Sequence, residues 1–236
     1  MKLFYSYDIG IEKAYIITLK GNKISENHSK ICQESCKNIG QDYVVWDAFD
    51  GTGKEIIVPD HSINESIINM VKVTNHFLVK SEVACLLSHL SLWVHCVKLD
   101  KPIIILEHDA IMIKKLIQLE SFNSIVYLGG IEWAKQNWNI HPIPPHASRG
   151  PNYHCICRAH AYAIDPQVAK NLIAQIIQLG IHTTADLMLR ADVFNITHQG
   201  LHAYDNSIPG GNDTTITGRP DVHDWNKAIY NPDLSQ

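Results

Sequence analysis

The chain has 236 residues, 45% of them apolar, and a formal charge of −4. That is enough apolar material for one full core, which excludes disorder as the default, and the lack of a basic excess excludes a nucleic-acid binder. Six cysteines, no apolar leader in residues 1–8 and no run near the roughly 20 apolar residues of a membrane span predict buried thiols in a reducing, cytoplasmic compartment.

Residues 13–19 predict a first buried strand, broken by Lys20-Gly21-Asn22. Ile24, His28, Ile31 and Ser35 recur at helical spacing, predicting a helix over 23–38 with Gly40 as terminator. Residues 43–49 predict a second strand, ending in the turn signal Asp50-Gly51-Thr52-Gly53. A short helix is expected over 62–73. A stronger one begins at a Ser81 cap, with Val83, Leu86, Leu87, Leu90, Trp93, Val94 and Val97 as its apolar face and Ser88 and His89 on its polar side.

Asp100-Lys101-Pro102 ends that helix and delivers a short buried strand over residues 102–106, which runs into Glu107-His108-Asp109. Residues 124–128 predict another strand, closed by Gly129-Gly130. Residues 131–158 are aperiodic and rich in Pro, His, Trp and Asn, and so long a loop is often functional. Residues 159–164 predict a strand. Asp165-Pro166 then caps a helix that Gly180 stops. A helix over 183–191, a last strand over 193–197 and an irregular tail from about 200 complete the chain. The alternation predicts a single α/β domain over 1–236, its sheet mostly parallel and flanked by helices.

The acidic cluster carries the most chemistry. Buried carboxylates at a strand end ask for a cation, and ligands of open α/β sheets bind at the carboxyl ends of strands. Glu107 and Asp109, at i and i+2, project to one side of an extended chain. Mg²⁺ or Mn²⁺ takes such oxygens and keeps phosphate and water as its other ligands. A solvated acidic loop is the plain alternative. His198 and His202 follow the last strand, where enzymes of this general architecture often complete a metal site with a late His or Asp; a satisfied surface His is the plain alternative for either one. Trp133, Trp138 and Tyr153 in the long loop offer flat faces to a sugar ring, or form a small core of their own. His154-Cys-Ile-Cys157 lacks the spacing of a structural zinc site.

The block Ser81-Glu-Val-Ala-Cys-Leu-Leu-Ser-His89, then Leu92-Trp93, then Pro102-Ile-Ile-Ile-Leu-Glu-His-Asp-Ala110 resembles the family 25 glycosyltransferases. These include lipopolysaccharide sugar transferases and procollagen galactosyltransferases. The family pattern there is Gly-Glu-Ile-Gly-Cys-Ala-Leu-Ser-His, an apolar helix, then Leu-Glu-Asp-Asp-Ala. Tyr15-Ile-Ile-Thr-Leu19, Ala48-Phe-Asp-Gly51, Ile125-Val-Tyr-Leu-Gly129, His160-Ala-Tyr-Ala-Ile164 and Thr184-Ala-Asp186 follow in the family's order, so the resemblance spans roughly residues 13–200.

The resemblance implies a GT-A-type fold and transfer of a hexose from a nucleotide-sugar, UDP-linked, to a hydroxyl of a glycan or protein-linked acceptor, with inversion. It implies Mn²⁺ or Mg²⁺ on Glu107 and Asp109 with His198 completing the site. Thr18, Asp50, Gly51, Ser88 and His108 are implied at the nucleotide-sugar, Trp133, Trp138 and Tyr153 at the acceptor, and Asp186 as the base. Asp186 and Arg190 could instead be a plain surface pair one helical turn apart. No nucleic acid or transmembrane segment is expected; peripheral membrane association is compatible with the function. His108 stands where the family has Asp, and Thr18-Leu-Lys-Gly-Asn22 where it has Asn-Leu-Asp-Arg-Arg, leaving Lys20 and Lys23 as the cations there. A member that binds without catalysing, and a metal-dependent hydrolase built on the late His residues, are the alternatives.

Overall fold

The computed structural model describes residues 10–11, 13–60, 64–116, 124–129, 141–142 and 159–205. In chain order the elements are β1 (Ala14–Thr18), α1 (Lys23–Asn38), β2 (Tyr43–Asp47), α2 (Asn64–Met70), α3 (Lys80–Leu99), β3 (Ile103–Glu107) and β4 (Ala110–Met112). Then come β5 (Ser124–Gly129), β6 (His141–Pro142), β7 (Ala161–Ile164), α4 (Pro166–Leu179), α5 (Ala185–Met188) and β8 (Asn195–Asp205). The strands form one sheet in the order β2-β1-β3-β7-β5-β8-β4, with β6 also on β8.

The α/β class holds, and the pairing is mixed. β1 pairs parallel with β2 and β3, and β5 with β8; β7 is inserted antiparallel between β3 and β5. Two antiparallel steps restore the direction, so β1, β2, β3, β5 and β8 all run one way. Their carboxyl ends share one edge.

Strand alternation divides the core. Tyr15, Ile17, Ile103, Ile105, Tyr162 and Ile164 enter the cluster covered by α3 and α4. Ala14, Ile16, Ile104, Leu106, Ala161 and Ala163 enter the other, against Cys32 and Cys36 of α1. α3 is long and apolar enough to cross a bilayer, but 67% of that window is buried in the fold, so it serves here as the core helix.

Local chemistry sets the helix ends. Asn22 Oδ1 accepts the Ile24 and Ser25 N–H groups at the start of α1. Asp165 accepts from Val168 N–H, with Pro166 in the first turn, at the start of α4. Val79, not the expected Ser81, is the N-cap of α3, and Glu82 reaches back to the Val79 N–H at 3.1 Å. Two expectations give way at the end of the chain. The helix expected over 183–191 is only α5. The expected tail from 200 begins as β8, which continues to Asp205 because β4 and β5 pair with it.

Candidate functional site

The carboxyl edge gathers the polar residues. Ile17 of β1 is the register partner of Glu107, so the Lys20-Gly21-Asn22 turn leaves the sheet beside the acidic cluster. His160, just ahead of the antiparallel β7, lies at the same edge, its carbonyl accepting from Glu107 N–H at 2.8 Å. Asp205 is the register partner of Ala110, so β8 ends beside the turn that follows Glu107.

Glu107 continues the alternation of Ile103 and Ile105 and therefore faces α3. His89 Nε2 meets its Oε1 at 3.1 Å, and His89 Nδ1 meets the Tyr162 hydroxyl at 2.9 Å. Trp93 Nε1 donates to that hydroxyl at 2.9 Å. His89 is fully buried, whereas the Glu107 side chain stays 27% exposed, so one end of a buried polar chain reaches the surface as a carboxylate. Burial alone would raise the Glu107 carboxyl. The hydrogen bond and charge of His89, with His108 and His160 nearby, outweigh it and hold Glu107 below its ordinary value. Burial pushes the Tyr162 phenol well above its usual range, so it stays protonated. Cys85, one turn before His89, adds its thiol: a Cys85, a His89 and a Glu107 ligand atom all lie within 4.8 Å of one another.

His108 and Asp109 form a turn, so the extended i, i+2 arrangement is not realised. Glu107 faces α3, while the charge of Asp109 acts on the Cys32 thiol of α1. The His108 ring meets His28 of α1 edge-on at 5.9 Å. Its desolvation lowers its pKa, opposed by Glu107 and Asp205 and assisted by His28. Behind this turn His160 packs over Gly129. A Cβ at Gly129 would lie 2.4 Å from His160 Cε1 and 2.7 Å from the Tyr127 hydroxyl, so only glycine fits.

A family model described as glycosyltransferase family 25 (LPS biosynthesis protein) matches residues 11–189. The chain belongs to glycosyltransferase family 25. It is a glycosyltransferase, and its α/β sheet with a polar carboxyl edge agrees with the GT-A-type expectation. A search of characterised proteins finds no significant match. Two solved structures are distantly similar. A galactosyltransferase, LgtC, in complex with donor and acceptor sugar analogues, is 9% identical, with a TM-score of 0.44 over 79% of this chain and 73% of that one. A glycosyltransferase involved in glycosylation of the major capsid of PBCV-1 is 8% identical, with a TM-score of 0.32 over 70% and 66%. Likenesses this remote decide nothing about this chain.

Within this family 25 member, several expected site residues have structural work. Thr18 faces α1, donating to Ile16 O and bonded to Ser29 Oγ at 2.7 Å. Ser88 is buried, not on a polar helix side; it donates to Ala84 O and accepts Phe49 N–H. Asp50 Oδ1 accepts from the Thr52 N–H and hydroxyl, closing its own turn. Gly51 lets that turn touch α3, since a Cβ there would sit 2.3 Å from Lys80 O.

Asp186 accepts from the Thr184 hydroxyl and the Leu187 N–H, and Arg190 places its guanidinium on Asp192. His198 lies in β8 opposite Tyr127 and His141, while the β8 residue brought beside the acidic turn is Asp205. Trp133, Trp138, Tyr153, His154, Cys155 and Cys157 lie outside the described residues. The sequence reading missed Asp205, because Gly200 suggested the end of ordered structure. It also missed the Tyr162–His89–Glu107 chain, for which strand parity from Ile103 was the available signal.

Proposed function

We propose that this family 25 glycosyltransferase moves a hexose from a UDP-sugar to a hydroxyl of a glycan or protein-linked acceptor, with inversion at the anomeric carbon. The observation that carries this reading is the family 25 acidic stretch at the carboxyl edge of the sheet, with Glu107 ending β3, His108 and Asp109 in the turn after it, and Asp205 of β8 beside that turn. The donor chemistry of these carboxylates fits Mn²⁺ or Mg²⁺, which prefer carboxylate oxygens. Asp109 and Asp205 would hold the ion, with Glu107, which faces His89 of α3, joining them only if the turn rearranges, and the bound ion supplies charge neutralisation for the leaving diphosphate.

The chain's own residues then divide the work. His89 orients the Glu107 carboxylate and holds it ionised. Lys20 and Lys23, at the neighbouring β1–α1 turn, supply positive charge toward the diphosphate. His108, kept neutral by burial, offers a ring nitrogen without adding charge. Single displacement with inversion needs a base for the acceptor hydroxyl, and Asp186 takes that role, its carboxylate fixed by Thr184 and the Leu187 N–H. Trp133, Trp138 and Tyr153 are assigned to the acceptor ring.

UDP release from a panel of UDP-hexoses, with acceptor glycans and Mn²⁺, tests the reading. Wild type releases UDP and forms a product of opposite anomeric configuration by NMR. Asp109→Ala abolishes release, and Asp186→Asn lowers transfer about 10²–10⁴-fold while retaining UDP binding. Retained configuration, or full activity of Asp109→Ala, sinks the reading.

A further inference from the structure

We infer that Cys85, His89 and Glu107 form a second cation site, selective for a thiophilic divalent ion of the zinc class and sharing Glu107 with the hard-cation turn. Cys85 and His89 are four residues apart on α3, so their side chains share one face a single turn apart. β3 alternation aims Glu107 at that face. A ligand atom from each lies within 4.8 Å of the other two, and His89 Nε2 is 3.1 Å from Glu107 Oε1. An ion with bonds of about 2.0–2.3 Å in a tetrahedron holds its ligands about 3.3–3.8 Å apart, so closure needs shifts of about an ångström.

The donor set decides the metal. A thiolate and an imidazole favour Zn²⁺ or Co²⁺, whereas Mg²⁺ and Mn²⁺ favour oxygen. Charge agrees: one thiolate and one carboxylate balance a divalent ion, and a neutral site is the cheapest kind to bury. Cys85 and Glu107 are half-buried, which leaves an approach for the ion and a place for a water ligand; His89 is the fixed anchor.

The surroundings of His89 suit both states. Tyr162 Oη already accepts from Trp93. Without metal, Nε2–H donates to Glu107, and Nδ1 and the Tyr162 hydroxyl share their bond in either direction. With metal, Nδ1–H donates to Tyr162, and the Nε2 lone pair faces the ion. A ligating histidine held through its other nitrogen is the usual arrangement of metal sites.

Cobalt titration of the full chain, stripped with chelator and free of sugar nucleotide, reads the site directly. Co²⁺ gives a near-ultraviolet thiolate-to-cobalt charge-transfer band, and Zn²⁺ erases it. Cys85→Ser loses the band, while Cys155→Ser/Cys157→Ser keeps it. Independently of any variant, Zn²⁺ but not Mg²⁺ slows alkylation of Cys85, mapped by mass spectrometry, by about tenfold or more, because a coordinated thiolate is a poor nucleophile. No band in wild type, a band that survives Cys85→Ser, or an unchanged alkylation rate overturns the inference. One consequence rests on the reading above: zinc, by engaging Glu107, inhibits metal-supported transfer, and Cys85→Ser relieves this. The cobalt measurement needs no sugar, so failure of transfer leaves it standing, and absence of the band leaves transfer intact.

Discussion

The Tyr162 hydroxyl is the node of the buried polar chain, bonded to Trp93 Nε1–H and His89 Nδ1 at 2.9 Å each. Tyr162→Phe keeps the ring and removes the node, leaving two buried nitrogens without that partner. The expected cost is about 1–3 kcal/mol, the usual penalty for orphaned buried polar groups, measured by urea unfolding. A loss below a few tenths would mean that the chain contributes little to the fold. Gly129→Ala acts by volume: its Cβ would overlap His160 Cε1, so His160 must move or the sheet must shift. The expected loss is about 1–3 kcal/mol, with a displaced His160 ring resonance by NMR. At this scale the motif match identified residues but not their directions. Ser88 matched the family pattern and Thr18 stands where the family has Asn, yet parity turns Thr18 toward α1 and helix geometry turns Ser88 into the core. The same parity, counted from Ile103, sends Glu107 to His89.

Elements were most legible where their period was long and their caps were chemical. α1 occupies the span that its spacing predicts, and α4 begins at Asp165-Pro166 and ends before Gly180, which sits at φ +75°. The Asp165 carboxylate accepts the Val168 N–H at 2.8 Å, so Asp165→Ala should cost about 1 kcal/mol, with a range of about 0.5–2. Thermal unfolding checks this, and Asp165→Asn should recover most of the loss. Elements decided by distant partners were not legible. β4 has three residues, too few for any periodicity, and exists because β8 pairs with it. β8 runs through Gln199-Gly200, which read as a terminus. Its register advances from His198 to Ala203 while β5 advances only from Tyr127 to Gly129, a bulge that absorbs the glycine. That unforeseen bulge is what brings Asp205 to the acidic turn.

Over the whole molecule, one sheet carries two cores, and the groups that titrate abnormally lie in both and at the edge between them. Their shifts define a window of maximal stability. His108 is held below its ordinary value of 6.5, so below that pH the unfolded chain takes up a proton that the folded chain refuses. Its contribution is complete above 6.5 and is lost as pH falls toward the folded value. Glu107 is held below 4.5, so its contribution is complete above that value and is lost as pH falls through the folded value. Cys96 behaves oppositely. Burial raises it from 9.0 to about 12, so its contribution is present below 9.0 and is lost as pH rises toward 12; Tyr162, pushed above 10.0, steepens the same limb. Urea midpoints measured in chelator should therefore form a plateau between 6.5 and 9.0 with a falling limb on each side. His108→Asn should flatten the upper part of the acid limb and leave the alkaline limb unchanged; Cys96→Ala should lower the plateau and flatten the alkaline limb. An acid limb of the same shape in His108→Asn would assign it to carboxylates alone, and the buried, uncharged His108 at the acidic turn would lose its support.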